Sequence, residues 1–253
     1  MKKIIKKLLN FLGYSIIDKD FAKLANKNYK LLIFGGINEY FKNVNYSFYE
    51  SSKSQLLQDY FVASFFKFKE GGTFIEFGAT NGITDSNTFL LESKFAWNGV
   101  LVEPIISFYD KLRLNRKSKT LNNVVYHESN KSILFQESIF PELSTIKGYG
   151  DSDDHNRKVN IASEYNIDTI TLNEIFEKYF NDKTVDYLSI DTEGSEYDIL
   201  NSFNFEKYKI KIITVEHNYS KQRNKIYRLL TKNRYKRVLT HISRWDDFYI
   251  LEE

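Results

Sequence analysis

Acidic residues that could do chemistry stand directly after short apolar runs, at positions where the strands of a sheet would end. Asp191 follows the apolar run at 185–190, and Glu216 follows the run at 210–215, with His217 beside it. In open α/β sheets, ligands bind at the carboxyl ends of the strands. We expect these two strands to be neighbours, so that both carboxylates reach one point beside a bound ligand.

Two ways of removing a proton from a substrate hydroxyl fit this group, and the sequence leaves both open. In the first, His217 is a general base, because an unperturbed imidazole titrates near neutral pH. In the second, Asp191 and Glu216, with Glu193 or Asn218, bind Mg²⁺ or Mn²⁺, and the ion lowers the pKa of the hydroxyl. Asp191 and His217 are therefore the predicted catalytic residues.

The elements that must position these residues are organised around the stretch from 72 to 104. An apolar run ends in a turn that contains Gly78 and Gly82, and a helix-like segment then leads to a second apolar run that ends at Glu103. This order is typical of a βαβ nucleotide-binding unit. Glu103 follows the last glycine by about 20 residues, the spacing at which an acid accepts hydrogen bonds from ribose hydroxyls. The stretch therefore predicts an adenosine-binding site.

The turn after the first run indicates which adenosine cofactor binds. The G-x-G-x-x-G pattern of dinucleotide-binding folds is missing, and Glu76 stands two residues before Gly78. A carboxylate there would repel a pyrophosphate, whereas it suits a cofactor that carries positive charge. S-adenosylmethionine has both an ammonium and a sulfonium group and is the predicted cofactor. An incidental glutamate in a tight strand-to-helix turn is the structural alternative.

Strand-like and helix-like segments alternate from residue 54 onward, which predicts an α/β fold with a mostly parallel sheet. The run at 124–126 is a candidate third strand. The last two runs, 235–242 and 247–251, are separated by a polar turn and predict a closing antiparallel hairpin. We therefore place one catalytic domain at 54–253.

The segment 128–167 interrupts the alternation within this domain. An excursion of this length in a compact domain is usually functional or disordered. We interpret it as a lid or substrate insertion in which His155, Arg157 and Lys158 contact a phosphate group of the substrate. A solvated loop of mixed charge explains the same residues equally well.

Residues 1–53 stand outside the alternating pattern and form a predicted helical and irregular extension. Residues 1–12 have the pattern of a basic amphipathic helix, and its lysines interrupt the apolar run too often for a membrane span. This helix could lie on a membrane surface, or pack on its own domain or a partner subunit. Residues 16–50 are expected to be irregular and, because the extension is rich in aromatic residues, to support a homodimer.

Composition limits the class of protein further. The chain has 253 residues, enough for one α/β domain with a full core and some appended structure. Its net charge of +3 argues against nucleic acid as a partner, because a nucleic-acid binder would present a concentrated basic face. Cysteine is absent, which excludes disulfides and cysteine-based metal sites and is compatible with a cytoplasmic protein.

Several short motifs between about residues 54 and 251 together resemble the FkbM-type methyltransferase family. The motifs are Ser54-Gln55, Gln58-Asp59, Glu76-x-Gly78, Ser86-Asn87-Thr88, Glu103-Pro104, Leu188-Ser-Ile-Asp-Thr-Glu-Gly-Ser-Glu196, Glu216-His217-Asn218 and Trp245-Asp-Asp-Phe-Tyr249. The resemblance implies a Rossmann-like class I methyltransferase fold with a seven-stranded sheet. It also implies S-adenosylmethionine-dependent O-methylation, in bacteria commonly of sugars and other small natural products.

The resemblance also carries cofactor contacts over to this chain. The contacts that it implies are Glu76, Gly78, Ser86, Asn87 and Glu103. To these we add Gln58, on the helix that leads into the first strand, and Asp191 at the end of a later one. Where the family often has an acid before the second glycine of the turn, this chain has Asn81.

Three functions from different classes follow from these observations. The leading hypothesis is an O-methyltransferase that acts on a nucleotide-activated sugar or a surface polysaccharide unit, in the bacterial cytoplasm or at the inner membrane surface. A nucleotide-sugar dehydrogenase or epimerase is the second, against which the missing G-x-G-x-x-G and the lack of a suitably placed Tyr-x-x-x-Lys pair count. The third is a non-catalytic membrane-surface or scaffold module recruited through residues 1–12.

Overall fold

The computed structural model describes residues 19–149, 160–181 and 184–252, with side chains described from residue 27 onward. The helices are α1 (Lys19–Phe41), α2 (Tyr46–Ser51), α3 (Gln58–Phe65), α4 (Phe89–Phe95), α5 (Ile106–Asn115), α6 (Leu172–Tyr179), α7 (Glu196–Asn201) and α8 (Gln222–Lys232), with a 3₁₀ turn at Pro141–Leu143. The strands are β1 (Thr73–Phe77), β2 (Asn98–Val102), β3 (Lys119–Leu121), β4 (Val124–Val125), β5 (Ser132–Ser138), β6 (Thr145–Ile146), β7 (Ile161–Ile170), β8 (Thr184–Ile190), β9 (Lys209–Glu216), β10 (Tyr235–Val238) and β11 (Asp246–Leu251).

Seven strands form the main sheet, in the order β10-β11-β9-β8-β1-β2-β3. The five strands from β3 to β9 in this order are parallel to one another, with Ile75 opposite Val100 on one side and Leu188 on the other. β11 is antiparallel to both β9 and β10. The prediction of a mostly parallel seven-stranded sheet with an antiparallel C-terminal hairpin is confirmed.

The strand order reverses between β1 and β8. From β1 the chain moves outward to β2 and β3, and it then crosses back to β8 on the other side of β1. Parallel strands that diverge at such a point leave a crevice outside their carboxyl ends, where open α/β sheets bind their ligands. The same topology makes β8 and β9 neighbours, as expected for the strands that precede Asp191 and Glu216.

Helices cover both faces of the sheet. On one face, the buried side chains of α6, α7 and α8 pack against the strands, as Phe176, Leu200 and Leu230 illustrate. On the other face, α1, α3, α4 and α5 do the same. Thr171 caps the start of α6, where its hydroxyl accepts a hydrogen bond from Glu174 N at 3.1 Å. The sheet is thus held rigidly between two helical layers.

The third strand of the main sheet differs from the expectation. β3 is the polar segment Lys119–Leu121, whereas Val124–Val125 leaves the main sheet and pairs with β7 in a second, four-stranded sheet of order β4-β7-β5-β6. Residues 124 and 125 therefore form a strand, as predicted, but this strand belongs to the second sheet and is not the third strand of the main sheet. β3 is a short edge strand with no buried residue, so it lacks the apolar run that marks a strand in the sequence.

The expectation of irregular structure at 16–50 is also wrong over most of the described part. α1 is a helix of 23 residues, and its side chains Ile33 and Ile37 are fully buried in the core. The Tyr60 hydroxyl donates a hydrogen bond of 2.8 Å to Asn38 Oδ1, which joins α1 to α3. Gly35 and Gly36 lower the intrinsic helix propensity of α1, so tertiary packing rather than local preference stabilises it.

The described helices include none that combines the length and the apolar character of a membrane span. The predicted amphipathic helix at 1–12 lies outside the described residues.

Candidate active site

A cavity of about 580 Å³ opens at the carboxyl ends of the parallel strands. Gly78, Glu103, Asp191 and Glu216 line it from the ends of β1, β2, β8 and β9, and Asp246 joins them from the start of β11. The cavity thus extends across the point where the strand order reverses. One end is rimmed by apolar side chains, and carboxylates gather at the other.

Glu103 lies at the end of β2, where the sequence predicts the ribose-binding acid. Its side chain is 3% exposed, and its two oxygens accept hydrogen bonds from Thr80 N at 2.7 Å and Ile105 N at 2.8 Å. Burial, with a smaller contribution from the charge of Asp191, raises the pKa of Glu103 to about 7, although the two hydrogen bonds lower it. Because each carboxylate oxygen has a second lone pair, both can still accept a hydroxyl from a bound ligand.

Glu76 holds the turn that begins the next helix. Its carboxylate accepts hydrogen bonds from Asn87 N at 2.7 Å, from the Ser86 hydroxyl at 3.1 Å and from the Thr88 hydroxyl. Arg116 stands 3.7 Å from the same carboxylate and lowers its pKa, although burial raises it more. Glu76 therefore borders the cavity chiefly as the group that positions 86–88, and Ser86 does not line the cavity at all.

Asn87 is the member of this turn that faces the cavity with an unused group. Its Nδ2 donates to the Ser189 hydroxyl at 2.9 Å, while its buried Oδ1 has no hydrogen-bond partner among the described residues. A buried acceptor without a donor is costly and marks a place for a ligand donor. An ammonium group such as that of S-adenosylmethionine would satisfy this oxygen. The residues present therefore fit the predicted cofactor.

Gly78 marks the closest approach of two strand ends. Its φ is +71°, and a Cβ placed on it would lie 2.2 Å from the Asp191 carbonyl oxygen. Only glycine can occupy this position, because any side chain would collide with the backbone of the neighbouring strand end. The backbone at 78 and the backbone at 191 together form the floor of the cavity.

Three carboxylates gather at the ends of β8 and β9. One oxygen from each of Asp191, Glu193 and Glu216 lies within 4.8 Å of the others, and Asn218 Nδ2 donates to Glu193 at 3.4 Å. Burial and the charges of Asp191 and Glu193 raise the pKa of Glu216 well above its ordinary value. The structure thus brings together the four residues that the sequence singled out as metal ligands. Such a group can hold a proton or bind a divalent cation.

Asp246 belongs to this group but was not predicted from the sequence. It pairs with Glu216 across β11 and β9, is 6% exposed, and has a pKa raised to about 8 by burial and by Asp191. Gln58 Nε2 donates to Asp246 Oδ2 at 2.5 Å, and Gln58 Oε1 accepts from Leu56 N at 2.9 Å. Gln58, which was predicted as a cofactor contact, lines the cavity, but its amide is already hydrogen-bonded to Asp246 and to the backbone of Leu56. The motif Trp245-Asp-Asp was the available signal, but nothing local indicates which aspartate faces the cavity.

His217 does not face the cavity with Asp191 and Glu216. Its Nδ1 accepts a hydrogen bond from Tyr219 N at 2.9 Å, and its Nε2 lies 3.7 Å from Asp247 Oδ1. Burial lowers its pKa to about 4, although Asp247 acts in the opposite direction. The imidazole is therefore neutral at physiological pH and packs behind the site. This position lends no support to the prediction that it is the general base.

The small sheet forms one wall of the cavity. Phe135 of β5 and Ile146 of β6 line it, together with the 3₁₀ turn at Pro141–Leu143. The Thr145 hydroxyl donates to Glu193 O at 2.8 Å, which ties this sheet to the carboxylates. The described parts of the predicted lid or substrate insertion, 128–149 and 160–167, therefore consist largely of β-structure. His155, Arg157 and Lys158 lie outside the described residues, and their predicted role stays a prediction.

The backbone around the cavity is strained. Several of its non-glycine lining residues have positive φ, a conformation that is uncommon for residues other than glycine. These residues are Thr80, Asp85, Glu193, Asn218 and Tyr219. Other described residues away from the cavity, such as Lys42, Ala96 and Arg234, also have positive φ, so this conformation is not confined to the site.

The strand order of the main sheet, together with Glu103 at the end of β2 beside the cavity, is that of a Rossmann-like class I methyltransferase fold. Residues 76–247 match the model of the methyltransferase FkbM domain. The chain belongs to this family, and it is an S-adenosylmethionine-dependent methyltransferase. The resemblance stated from the sequence motifs is confirmed. No curated protein sequence matches the chain.

Solved structures with a similar fold are distant in sequence. Precorrin-6y C5,15-methyltransferase from Geobacter metallireducens is 8% identical over 76% of this chain and 85% of its own, with a TM-score of 0.41. A human methyltransferase 10 domain containing protein is 8% identical over 89% of this chain and 96% of its own, with a TM-score of 0.40. A putative RNA methyltransferase from Pyrococcus horikoshii is 13% identical over 78% of this chain and 85% of its own, with a TM-score of 0.38.

Proposed function

We propose that this methyltransferase transfers a methyl group to a sugar hydroxyl, in a nucleotide-activated sugar or a surface polysaccharide unit. The observation that carries the proposal is the group formed by Asp191, Glu193 and Glu216 at one end of the cavity, opposite Glu103. Oxygen acceptors need a group that takes their proton, and carboxylates at this place can do so. The choice of a sugar rests on the family resemblance alone.

The cofactor would lie between Glu103 and the carboxylate group. When bound, S-adenosylmethionine supplies a methyl group on a positively charged sulfur, which makes the methyl carbon electrophilic. Glu103 would accept hydrogen bonds from the ribose hydroxyls, and Asn87 Oδ1 would accept one from the ammonium group. The backbone at Gly78 lets the cofactor lie close to the strand ends.

The carboxylates rather than His217 are the residues that we propose for proton removal. Asp191 and Glu216 face the cavity, whereas the imidazole of His217 lies against Asp247. A hydroxyl held by Glu216 or Asp191 would lose its proton to that carboxylate as it accepts the methyl group, whose bond to sulfur would break to leave the neutral thioether of S-adenosylhomocysteine. The raised pKa of Glu216 makes it a stronger base than an ordinary glutamate once it is ionised.

Metal assistance remains a proposal of its own. Asp191 and Glu216, with Glu193 or Asn218, would hold Mg²⁺ or Mn²⁺, and all four are oxygen donors of the kind that these ions prefer. The ion would lower the pKa of the substrate hydroxyl. Turnover that is lost in EDTA and restored by added Mg²⁺ would support it, whereas turnover unaffected by EDTA would contradict it.

The remaining predictions are carried forward as proposals. His155, Arg157 and Lys158 would bind a phosphate of the acceptor. The protein would form a homodimer, act in the cytoplasm without a nucleic-acid partner, and contact the membrane surface through residues 1–12.

The experiment that tests this function measures methyl transfer from labelled S-adenosylmethionine to a panel of nucleotide sugars. We expect the Glu216→Gln variant to lose at least about a hundredfold in kcat, because it removes the proton acceptor. We expect His217→Gln to keep most of its turnover, because the imidazole lies outside the cavity. Melting temperature and affinity for S-adenosylhomocysteine are measured for both variants as controls. Loss of turnover in His217→Gln alone, with both controls unchanged, would assign the base to the histidine.

A further inference from the structure

Arg244 is stacked against two aromatic rings and directly precedes Trp245, which lines the cavity. Its guanidinium carbon lies 4.2 Å from the centroid of the Tyr29 ring and 4.8 Å from that of the Trp245 ring. Both distances are well within the range of cation–π attraction. We call Tyr29, Arg244 and Trp245 the arginine clamp.

The rest of the fold holds both aromatic residues of the arginine clamp, Tyr29 through its side-chain hydroxyl and Trp245 through its backbone. Tyr29, on α1, donates its hydroxyl to Ile242 O at 2.5 Å. The Trp245 carbonyl accepts a hydrogen bond of 2.7 Å from His217 N, which follows the end of β9. An arginine stacked between fixed rings has fewer rotamers to lose when it binds a ligand. The guanidinium is therefore pre-organised.

The N–H groups of Arg244 have no hydrogen-bond acceptor among the described residues. In the described part of the chain, none of the hydrogen bonds or ion pairs involves its guanidinium. Arg223, by contrast, donates two hydrogen bonds to Asp247, at 2.9 and 2.7 Å. Arg116 is likewise engaged with Ser86 and Thr88. A planar guanidinium with free in-plane donors suits a carboxylate or a phosphate, which it can bind through two parallel hydrogen bonds.

Aromatic side chains connect the clamp to the interior of the cavity. Trp245 belongs to the clamp and also lines the cavity, as does Tyr219, which is 45% exposed. Tyr219 is near enough to Tyr29 to influence its pKa. Flat aromatic faces at a cavity mouth bind the C–H faces of a ring-shaped ligand by burying them. A saccharide ring would fit between the clamp and the carboxylates.

The charges of the cavity orient such a ligand. Burial and the neighbouring acids raise the pKa values of Glu216 and Asp246, so this group of acids, with Asp191 and Glu193, disfavours any further negative charge at the strand ends. Arg244 offers positive charge beside Trp245. An anionic ligand would therefore bind with its anion outward on the clamp and an uncharged hydroxyl inward, beside the carboxylates.

We propose that the arginine clamp is the anion-binding end of the acceptor site, and that the acceptor is a saccharide carrying a phosphate or a carboxylate. This inference rests on the proposed function and specifies its substrate class. It assigns a binding role to Tyr29, Arg244 and Trp245. It also requires no contact from the excursion residues that were predicted to bind phosphate.

The experiment titrates three probes into the full-length protein saturated with S-adenosylhomocysteine, by calorimetry. The probes are uridine diphosphate glucose, the methyl glycoside of glucuronic acid, and maltose as a neutral control. The protein is wild type, Arg244→Gln, Arg244→Lys or Arg228→Gln. Arg228 is an exposed arginine on α8 that does not line the cavity, so its variant controls for loss of one positive charge.

We expect at least one anionic probe to bind wild type, and Arg244→Gln to weaken it about tenfold or more, because two charge-assisted hydrogen bonds are lost. The anionic probe whose binding is weakened shows whether the clamp recognises a diphosphate or a carboxylate. The affinity of Arg244→Lys for this probe should lie between those of wild type and Arg244→Gln, since lysine keeps the charge but not the planar guanidinium. Arg228→Gln should bind as wild type does, and all variants should keep their affinity for S-adenosylhomocysteine.

Equal binding of an anionic probe to wild type and Arg244→Gln overturns the inference, as does failure of both anionic probes to bind wild type at 10 mM, about the limit of useful affinity. A preference for maltose over both anions also overturns it. If S-adenosylhomocysteine itself does not bind wild type, the proposed function fails separately. The probes are then titrated without it, and the comparison of Arg244→Gln with Arg228→Gln still decides about the clamp.

Discussion

Gly78 shows how a single residue makes the cavity possible. The ends of β1 and β8 approach so closely there that a Cβ would lie 2.2 Å from a carbonyl oxygen of the neighbouring strand end. The positive φ of +71° adds a second reason for glycine. Close approach and left-handed backbone act together, so no compensating shift of one side chain can relieve a substitution.

We therefore expect Gly78→Ala to lower the free energy of unfolding by roughly 2–4 kcal/mol, because the new methyl group meets backbone. Affinity for S-adenosylhomocysteine should fall with it. Urea denaturation and calorimetry measure the two effects. Gly35→Ala is the matched control: a Cβ there meets nothing within 4 Å in the middle of α1, so we expect a gain of about 0.5–1 kcal/mol. A Gly78→Ala variant as stable as wild type would show that the strand ends are not packed as described.

At the residue scale, the sequence predicts those site residues whose position at the end of a strand is enough to bring them to the cavity. Glu103, Asp191 and Glu216 end apolar runs, and the parallel sheet brings such residues to one edge. Asp246 was not predicted, because it begins an antiparallel strand and its register with Glu216 is set by tertiary pairing. His217 was predicted as a base because imidazole chemistry is visible in a sequence, whereas the direction of its side chain is not.

At the scale of elements, α1 is part of the methyltransferase core. Ile33 and Ile37 are buried, and Phe41 packs on Phe61 of α3 with ring centroids 5.3 Å apart. The predicted boundary at residue 54 follows the sequence motifs, whereas the apolar packing extends across it. A truncation at that boundary would expose this face of α3.

The contribution of α1 can be measured by one buried and one exposed substitution on the same helix. Ile37 is fully buried, and we expect Ile37→Ala to cost about 2–4 kcal/mol in unfolding free energy, through lost burial and the cavity it leaves. Leu32 is 64% exposed, so Leu32→Ala should change stability by no more than about 0.5 kcal/mol. Chemical denaturation gives both values. Equal small effects would mean that α1 is not part of the cooperative unit.

The small sheet could be predicted only in part. β5 contains the short apolar run 133–135, but β7 is mostly exposed, with only its last two residues buried. Its identity as a strand depends on pairing with β5 and β4. Pairing between segments this far apart in the chain leaves no local periodicity to read. The central strands of the main sheet, in contrast, could be predicted from the sequence because they are apolar throughout.

At the scale of the whole molecule, the cavity is a cost to stability. Asp191, Glu193, Glu216 and Asp246 place four carboxyl groups close together at the strand ends, and Glu216 and Asp246 are buried. Burial of a carboxylate favours its protonated form. Between the ordinary pKa of an aspartate and about 8, the folded state therefore binds more protons at Asp246 than the unfolded chain does. Unfolding free energy must then fall as pH rises through this range.

We expect the melting temperature of wild type in EDTA to decrease between about pH 5 and pH 8, the window set by the raised pKa of Asp246. Asp246→Asn should flatten this decrease and raise the unfolding free energy at pH 8 by about 2 kcal/mol or more, since it removes one buried charge. Thermal unfolding across the pH range measures both. Asp110→Asn, at a side chain that is 61% exposed, is the control and should follow wild type. An unchanged slope in Asp246→Asn would mean that Asp246 is ionised without penalty.

The measurement that tests the account most directly is calorimetric titration of S-adenosylhomocysteine into wild type and Glu103→Gln, in EDTA, from pH 6 to pH 8.5. We predict one-to-one binding to wild type that weakens below about pH 7, where Glu103 becomes protonated and its hydrogen bonds to ribose lose their charge. Glu103→Gln should bind about tenfold or more weakly at pH 8.5 and show no such pH dependence. Wild-type affinity in Glu103→Gln, or no binding to wild type at any pH, would contradict a cofactor site at the ends of these strands.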